Sequence, residues 1–262
     1  MKKNFKKVAI VTGGCGLLGW QHASALNTLD FKVVILDNSK KDIKKRIIEK
    51  KKSNLNYDLI RCDITKKKNL FKIIRKIHEK YKQIDVLINN ASIDYVPKKK
   101  FKLNNDFLNF DLKRWKNEID VGLTGAFLCS QAVGKYMISK KNGIIINIGS
   151  DLSVIAPNQN LYSHLKTIKP ATYSVIKTGL HGLTKYLAGL WANKGIRVNT
   201  LSPGGIYNNQ DKTFVKKIKK LIPMERMASE KEYIGIIKFL CHSESKYMTG
   251  QNIVIDGGRT II

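Results

Sequence analysis

The sequence predicts an α/β domain in which a doubly wound parallel sheet is covered by helices on both faces. Three observations carry this expectation. Seven short apolar runs, near 8–12, 31–36, 57–61, 84–88, 144–149, 196–201 and 252–255, alternate with segments of helical periodicity. The first run opens into a glycine-rich turn that leads directly into a helical pattern. No Pro-, Gly- or Ser-rich linker and no internal repeat divides the 262 residues, so a single domain spanning 1–262 is expected, long enough for an ample core.

The elements follow in order. Lys7 to Thr12 is short, apolar and rich in β-branched residues, as a buried strand requires. Gly13-Gly14-Cys15-Gly16-Leu17-Leu18-Gly19 comes next, then a helix from Trp20 to Leu29. Strand, glycine turn and helix in that order lay a pyrophosphate on backbone N–H groups at a helix N-terminus. Gly13 permits the tight turn, Gly16 permits close approach of phosphate, and Gly19 lets the helix pack on the strand. The second run, Phe31 to Leu36, ends in Asp37, about 20 residues past the turn, where a carboxylate binds the adenosine ribose and repels a 2′-phosphate. A Rossmann-type dinucleotide fold is therefore expected, with NAD as cofactor and NADP disfavoured. Lys40 and Lys41 work against that preference.

Further along, Ala171 to Leu180 reads as a helix carrying Tyr173 and Lys177. Residues four apart share a helix face. A cation beside a phenol favours the phenolate, which makes the tyrosine a usable proton donor and acceptor. Alone, Tyr-x-x-x-Lys is a weak signal. Its company gives it weight.

With these motifs in place, the chain resembles the short-chain dehydrogenase/reductase family over essentially its whole length. Cys62-Asp63-Ile64-Thr65 is similar to the segment that binds adenine, and Asn89-Asn90-Ala91-Ser92 to the family's Asn-Asn-Ala-Gly. Gly143 to Ser150 resembles the strand that ends at the catalytic serine. Gly195 to Gly204 resembles the strand and loop facing the nicotinamide, and Met248-Thr249-Gly250 with Asp256-Gly257-Gly258 resembles the closing segment. The resemblance implies reversible hydride transfer between NAD(H) and an alcohol or carbonyl. Ser150 would bind the substrate oxygen, Tyr173 would exchange its proton, and Lys177 would hold the nicotinamide ribose and depress the tyrosine pKa. It implies cofactor contacts from Gly13, Gly16, Leu17, Leu18, Gly19, Asp37, Asp63, Ile64, Asn90, Ala91, Tyr173, Lys177, Pro203, Gly204, Ile206 and Asn208. The detailed wording is most similar to bacterial members tied to surface-sugar and flagellin-glycan biosynthesis. That implies a small polar substrate, a sugar or nucleotide sugar, and a homotetramer.

Four departures from the family pattern stand out. The glycine spacing is that of the longer, epimerase-like branch, although the large C-terminal substrate domain of that branch is not seen. Gly122 occupies the position of the asparagine in the family's Lys–water–Asn proton relay. Asn208 replaces a diphosphate-contacting threonine. The interval from Ser150 to Tyr173 is long, so Asp151 to Thr172 is expected to hold an insertion at the substrate, with Asn160, Tyr162 and His164 as candidate contacts. A surface loop or subunit contact is the plain alternative for that segment.

Charge and cysteines bound the remaining classes. A net charge of +28 raises a nucleic-acid or membrane-surface reading, but seven of the 48 basic residues are Arg, the side chain that bidentate phosphate and base recognition favours. The lysines are spread over 41–52, 66–82, 98–102 and 212–220. Solvated helix faces account for them, and no nucleic-acid partner is expected. The positively charged N-terminus mimics a secretory signal until the glycine turn breaks it, and no run approaches a membrane span. Cys15, Cys62, Cys129 and Cys241 lack paired spacing, and no two His stand at metal-ligand spacing, so neither disulfide nor metal is expected. A cytoplasmic enzyme is the default. Two other classes stay open: a non-catalytic NAD-binding or sensor protein, suggested by Gly122, and a polyanion binder, suggested by the charge.

Overall fold

The computed structural model describes residues 7–53, 56–94 and 106–262. The lysine run at 98–102 and the first six residues lie outside them. Strands β1 (Lys7–Thr12), β2 (Phe31–Asp37), β3 (Tyr57–Arg61), β4 (Val86–Asn89), β5 (Gly143–Ile148), β6 (Ile196–Pro203) and β7 (Asn252–Ile255) fall on the seven apolar runs. They form one sheet in the order β3-β2-β1-β4-β5-β6-β7, and every pairing is parallel. The intervening helices are α1 (Leu17–Asn27), α2 (Lys40–Ser53), α3 (Lys67–Tyr81), α4 (Leu112–Ile119), α5 (Gly125–Lys140), α6 (Ala171–Trp191), α7 (Lys212–Lys219) and α8 (Ile234–Cys241).

Successive side chains of a strand point to opposite faces, and this sorts the apolar runs into two cores. Val8, Ile10, Val34, Leu36, Leu87 and Val198 meet Leu70 and Ile74 of α3, Val133 of α5 and Leu187 of α6 on one face. Ala9, Val11, Val33, Ile35, Val86 and Ile88 meet Trp20 and Leu26 of α1 and Ile237 and Leu240 of α8 on the other. Helix α3 shows how charge and burial coexist. Leu70, Ile74 and Ile77 are buried at helical spacing, while Lys67, Lys68, Lys72, Lys76 and Lys80 are exposed. Each fully buried aliphatic side chain contributes roughly 1.5–3 kcal/mol, enough to fix the face that faces inward. Helix α4 starts because the Asp111 carboxylate accepts from the backbone N–H groups of Lys113 and Arg114.

The order of strands reverses direction between β1 and β4. The connections on either side diverge there and leave a crevice at the carboxyl ends of the strands, where ligands bind in open sheets of this kind. Thr12, Asp37, Asn89, Ile148 and Pro203 are the last residues of five strands and stand at this edge.

Candidate active site

A cleft of about 850 Å³ runs along the carboxyl edge of the sheet. Its lining includes Gly13, Gly16, Leu17, Leu18, Gly19, Asp37, Asp63, Ile64, Asn90, Ala91, Pro203, Gly204, Ile206 and Asn208 as well as Ser150, Tyr173 and Lys177. Folding therefore gathers into one cavity residues that the sequence scatters over almost 200 positions.

At one end, Gly13 has a φ of +60°, the left-handed region that favours glycine, and a Cβ there would lie 2.8 Å from Ala91 Cα. A Cβ on Gly19 would fall 2.4 Å from Gly13 O and 2.7 Å from Asn90 Nδ2. Asn90 Nδ2 in turn donates to the carbonyls of Thr12 and Gly13. Helix α1 begins with no side-chain cap and no acidic residue in its first turn, so its leading N–H groups open on the cleft. An uncapped helix start beside such a turn is an anion site. Asp37 is held by the N–H groups of Cys15 and Ser39, at 3.0 and 2.9 Å, and also lines the cleft. These features fit a dinucleotide.

At the other end, Ser150 follows β5 in extended backbone and caps a single turn, Asp151–Ser153, accepting from the N–H of Leu152. Its Oγ donates to Asp151 Oδ1 at 2.8 Å. Lys177 is buried, and its Nζ donates to the carbonyl of Ile148 at 2.9 Å. Burial lowers its pKa to about 8; Asp94 acts in the opposite direction, and Lys169 lowers it further. The ring of Tyr173 is approached by two cations, with Lys169 Nζ 3.6 Å and Lys177 Nζ 5.6 Å from its centroid.

The expected depression of the Tyr173 pKa is not what this site does. Burial, first, and then the Asp94 carboxylate raise it well above the usual phenol value. A hydrogen bond with Ser150 pulls it back in part, while Asp151 and Tyr162 add to the rise. The lysine is too desolvated, and the carboxylates are too near, for the ammonium to dominate.

The substrate candidates divide. Tyr162 lines the cleft and packs on Phe214 of α7, with ring centroids 5.3 Å apart. Asn160 and His164 do not line it. Asn160 is exposed, its carbonyl accepting from Lys217 and Ser163, and His164 Nε2 lies 2.8 Å from Asp211, the N-cap of α7. Burial of Leu161 and Tyr162 against Phe214 and Ile218 turns the polar side chains of this segment towards α7 and solvent. Gly122 sits in a π-helical turn, Asp120–Thr124, between α4 and α5. A Cβ there would meet Ile176 Cγ2 at 2.7 Å, so Ile176 fills the space a relay side chain would need.

Sequence reasoning did not single out Asp94, Asp151, Lys169 or Arg259, all of which line the cleft. Asp151 carried a signal, being a charged residue directly after a strand that ends at the candidate serine. It also missed a buried polar chain under the site, in which Asn89 Nδ2 donates to Asn147 Oδ1, Asn147 Nδ2 donates to Thr184 Oγ1, and Thr184 pairs with Thr200. Among the described residues no cluster of His, Cys, Asp and Glu is arranged to hold a metal, and no helix is long and apolar enough to cross a membrane.

A family model described as enoyl-(acyl carrier protein) reductase, of the short-chain alcohol dehydrogenase type, matches residues 16–260. The chain belongs to the short-chain dehydrogenase/reductase family. Among its relatives in this family, a 3-oxoacyl-(acyl-carrier-protein) reductase of Buchnera aphidicola is 35% identical over 261 residues, 98% of each chain. An NAD-dependent glycerol dehydrogenase of Listeria innocua is 31% identical, covering 97% of this chain and 94% of that one. The post-translational flagellin modification protein A of Campylobacter coli is 32% identical, covering 96% and 97%. A short-chain dehydrogenase from Leptospira borgpetersenii with bound NAD+ superimposes with a TM-score of 0.84 at 32% identity, covering 99% and 97%. A gluconate 5-dehydrogenase from Burkholderia cenocepacia in complex with NADP and tartrate gives 0.84 at 26% identity, covering 98% and 96%. The short-chain dehydrogenase/reductases are oxidoreductases that use NAD or NADP, and this chain carries their Rossmann-type fold.

Proposed function

We propose that this protein transfers a hydride between NAD(H) and the alcohol or carbonyl carbon of a small polar, sugar-like substrate. The observation that carries the reading is the single cleft joining the glycine turn and the open start of α1 to Ser150, Tyr173 and Lys177. The bound nicotinamide supplies or accepts the hydride. Gly16, Leu17 and Leu18 at the N-terminus of α1 would hold the pyrophosphate, while Asp63, Ile64, Asn90, Ala91, Pro203, Gly204, Ile206 and Asn208 would wall the rest of the cofactor. Asp37 receives the adenosine ribose, and its carboxylate favours NAD over NADP. Lys177 holds the nicotinamide ribose. Ser150 binds the substrate oxygen, and Tyr173, protonated in the resting site, gives its proton to a carbonyl or recovers it from an alcohol. Groups of this kind contribute about 10²–10⁴ in rate each. Relatives named for glycerol, sorbose and gluconate support a polar hydroxylated substrate, and the polar residues Ser92, Asp94, Asp151 and Lys169 at that end of the cleft agree with it. The protein acts in the cytoplasm as a homotetramer, which light scattering at micromolar concentration tests.

Glycerol, D-gluconate, L-sorbose and an acetoacetyl thioester, each with NAD(H) and NADP(H), form the test panel, read by the absorbance of the reduced nicotinamide. Turnover of a polyol or sugar acid with NAD is expected. Absence of turnover across the panel, in a protein that binds NADH, would favour the non-catalytic NAD-binding reading that Gly122 suggests.

A further inference from the structure

The C-terminal turn reaches back into the catalytic end of the cleft through one side chain. Arg259 Nη1 donates to Asp151 Oδ2 at 2.7 Å, and Asp151 Oδ1 accepts from Ser150 Oγ at 2.8 Å. The three residues are 6%, 3% and 4% exposed, and all line the cleft. We propose that the Asp151–Arg259 ion pair is a positioning device for the Ser150 hydroxyl, a part of the catalytic centre supplied by the last turn of the chain. The proposal rests on the role given to Ser150 above.

The geometry explains why both partners are needed. The Ser150 oxygen accepts from the N–H of Leu152 at 3.2 Å, directs its one hydrogen at Asp151 and also hydrogen-bonds the Tyr173 hydroxyl, so it is fixed from three sides. Asp151 also accepts from that same N–H at 2.9 Å through Oδ1, which leaves Oδ2 to be satisfied by the guanidinium. A buried carboxylate without a partner is costly, and Arg259 removes that cost while locking the plane of the carboxylate. Arg259 is itself held by its local backbone. Asp256 accepts from the N–H groups of Gly258 and Thr260 at 2.9 and 2.7 Å. Gly257 and Gly258 adopt φ of +70° and +90° and pack so closely on Ile222 and Pro223 that a Cβ would come within 3 Å. The turn therefore has one place to sit, and the arginine has one direction to point. With its hydrogen held by Asp151, Ser150 presents an oxygen already in place that accepts from the O–H of an alcohol substrate. It donates to a carbonyl once the hydrogen turns off Asp151. Fixing that oxygen beforehand is the preorganisation the ion pair supplies.

The test is a double-mutant cycle on the full-length protein with NAD and the panel compound of highest turnover. Asp151→Asn and Arg259→Gln are each expected to lower kcat by about 10–10²-fold, since displacements near 1 Å at a reacting centre cost that much. NADH affinity by fluorescence titration should stay near wild type, while the thermal midpoint should fall because each change leaves a buried partner unpaired, so kcat is read well below that midpoint. Arg259→Lys, which keeps the charge, should recover part of kcat. The decisive comparison uses Ser150→Ala. A residue acting through Ser150 has nothing left to position there, so Asp151→Asn in that background should lower kcat no further. A crystal structure of the Arg259→Gln protein should show the Ser150 side chain in a second rotamer. Equal losses from Asp151→Asn with and without Ser150, or wild-type kcat in Asp151→Asn, would overturn the proposal. Tyr173→Phe separates it from the reading beneath: full turnover in that variant would sink the catalytic assignment itself, whereas its loss beside an active Asp151→Asn would sink only the positioning role.

Discussion

Lys177 offers a measurement in which function and stability separate. Its ammonium is buried, and desolvation takes its pKa from 10.5 to about 8. Between these two values the unfolded chain holds a proton that the folded protein does not, so this residue makes stability rise with pH across that window. Below pH 8 both states are protonated and the full penalty applies. A shift of that size corresponds to roughly 3 kcal/mol at neutral pH, falling to about 1 kcal/mol near pH 9.5. Lys177→Met removes the penalty and also the hydrogen bond to Ile148 O, a pH-independent loss of about 1–3 kcal/mol. The sign at one pH is therefore undiagnostic, and the slope carries the test. The stability of Lys177→Met relative to wild type should fall by about 2 kcal/mol between pH 7 and about pH 9.5. Urea unfolding of the cofactor-free protein at fixed concentration, followed by tryptophan fluorescence, measures it. Buried thiols such as Cys15 and Cys241, whose pKa values burial raises to about 12, make both proteins less stable at alkaline pH and cancel in the difference. A difference that is flat with pH to within about 0.5 kcal/mol would refute the reasoning. A lysine retained at such a cost is what a functional site requires.

Tyr173→Phe keeps the ring between Lys169 and Lys177 and removes the acid. It should reduce kcat by at least ~10²-fold with NADH affinity nearly unchanged, by fluorescence titration. NADH should bind more tightly than NADPH, and Asp37→Ser should narrow the ratio by removing the carboxylate proposed to receive the adenosine ribose; equal affinities in wild type would count against this. His164→Ala and Asn160→Ala should leave KM unchanged, because neither lines the cleft, while His164→Ala should lower the thermal midpoint by loosening the start of α7 at Asp211. A raised KM in both variants would return these residues to the substrate.

The order of elements was written in local chemistry. Alternating apolar runs, glycine at Gly13 and Gly19, and Asp37 closing β2 each report on a few neighbouring residues, and periodicity and steric limits read them directly. The helix carrying Tyr173 and Lys177 was legible in the same way, since a four-residue spacing is a property of one helix. What depends on contact between distant segments was not legible. The pairing of Asp151 with Arg259, 108 positions away, exists because the C-terminal turn packs on Ile222 and Pro223. His164 left the site because Leu161 and Tyr162 had an apolar face to join on α7. Gly122 looked like a missing relay group, yet Ile176 fills its space from across a helix interface. Electrostatics followed the same division. From sequence, Lys177 was a cation beside a phenol, but burial and the Asp94 carboxylate, five residues past the end of β4, reverse the direction of the Tyr173 shift. Spacing along a chain fixes which groups are present on one element. Desolvation and charge summed over all neighbours fix their protonation, and only the packed tertiary structure sets those.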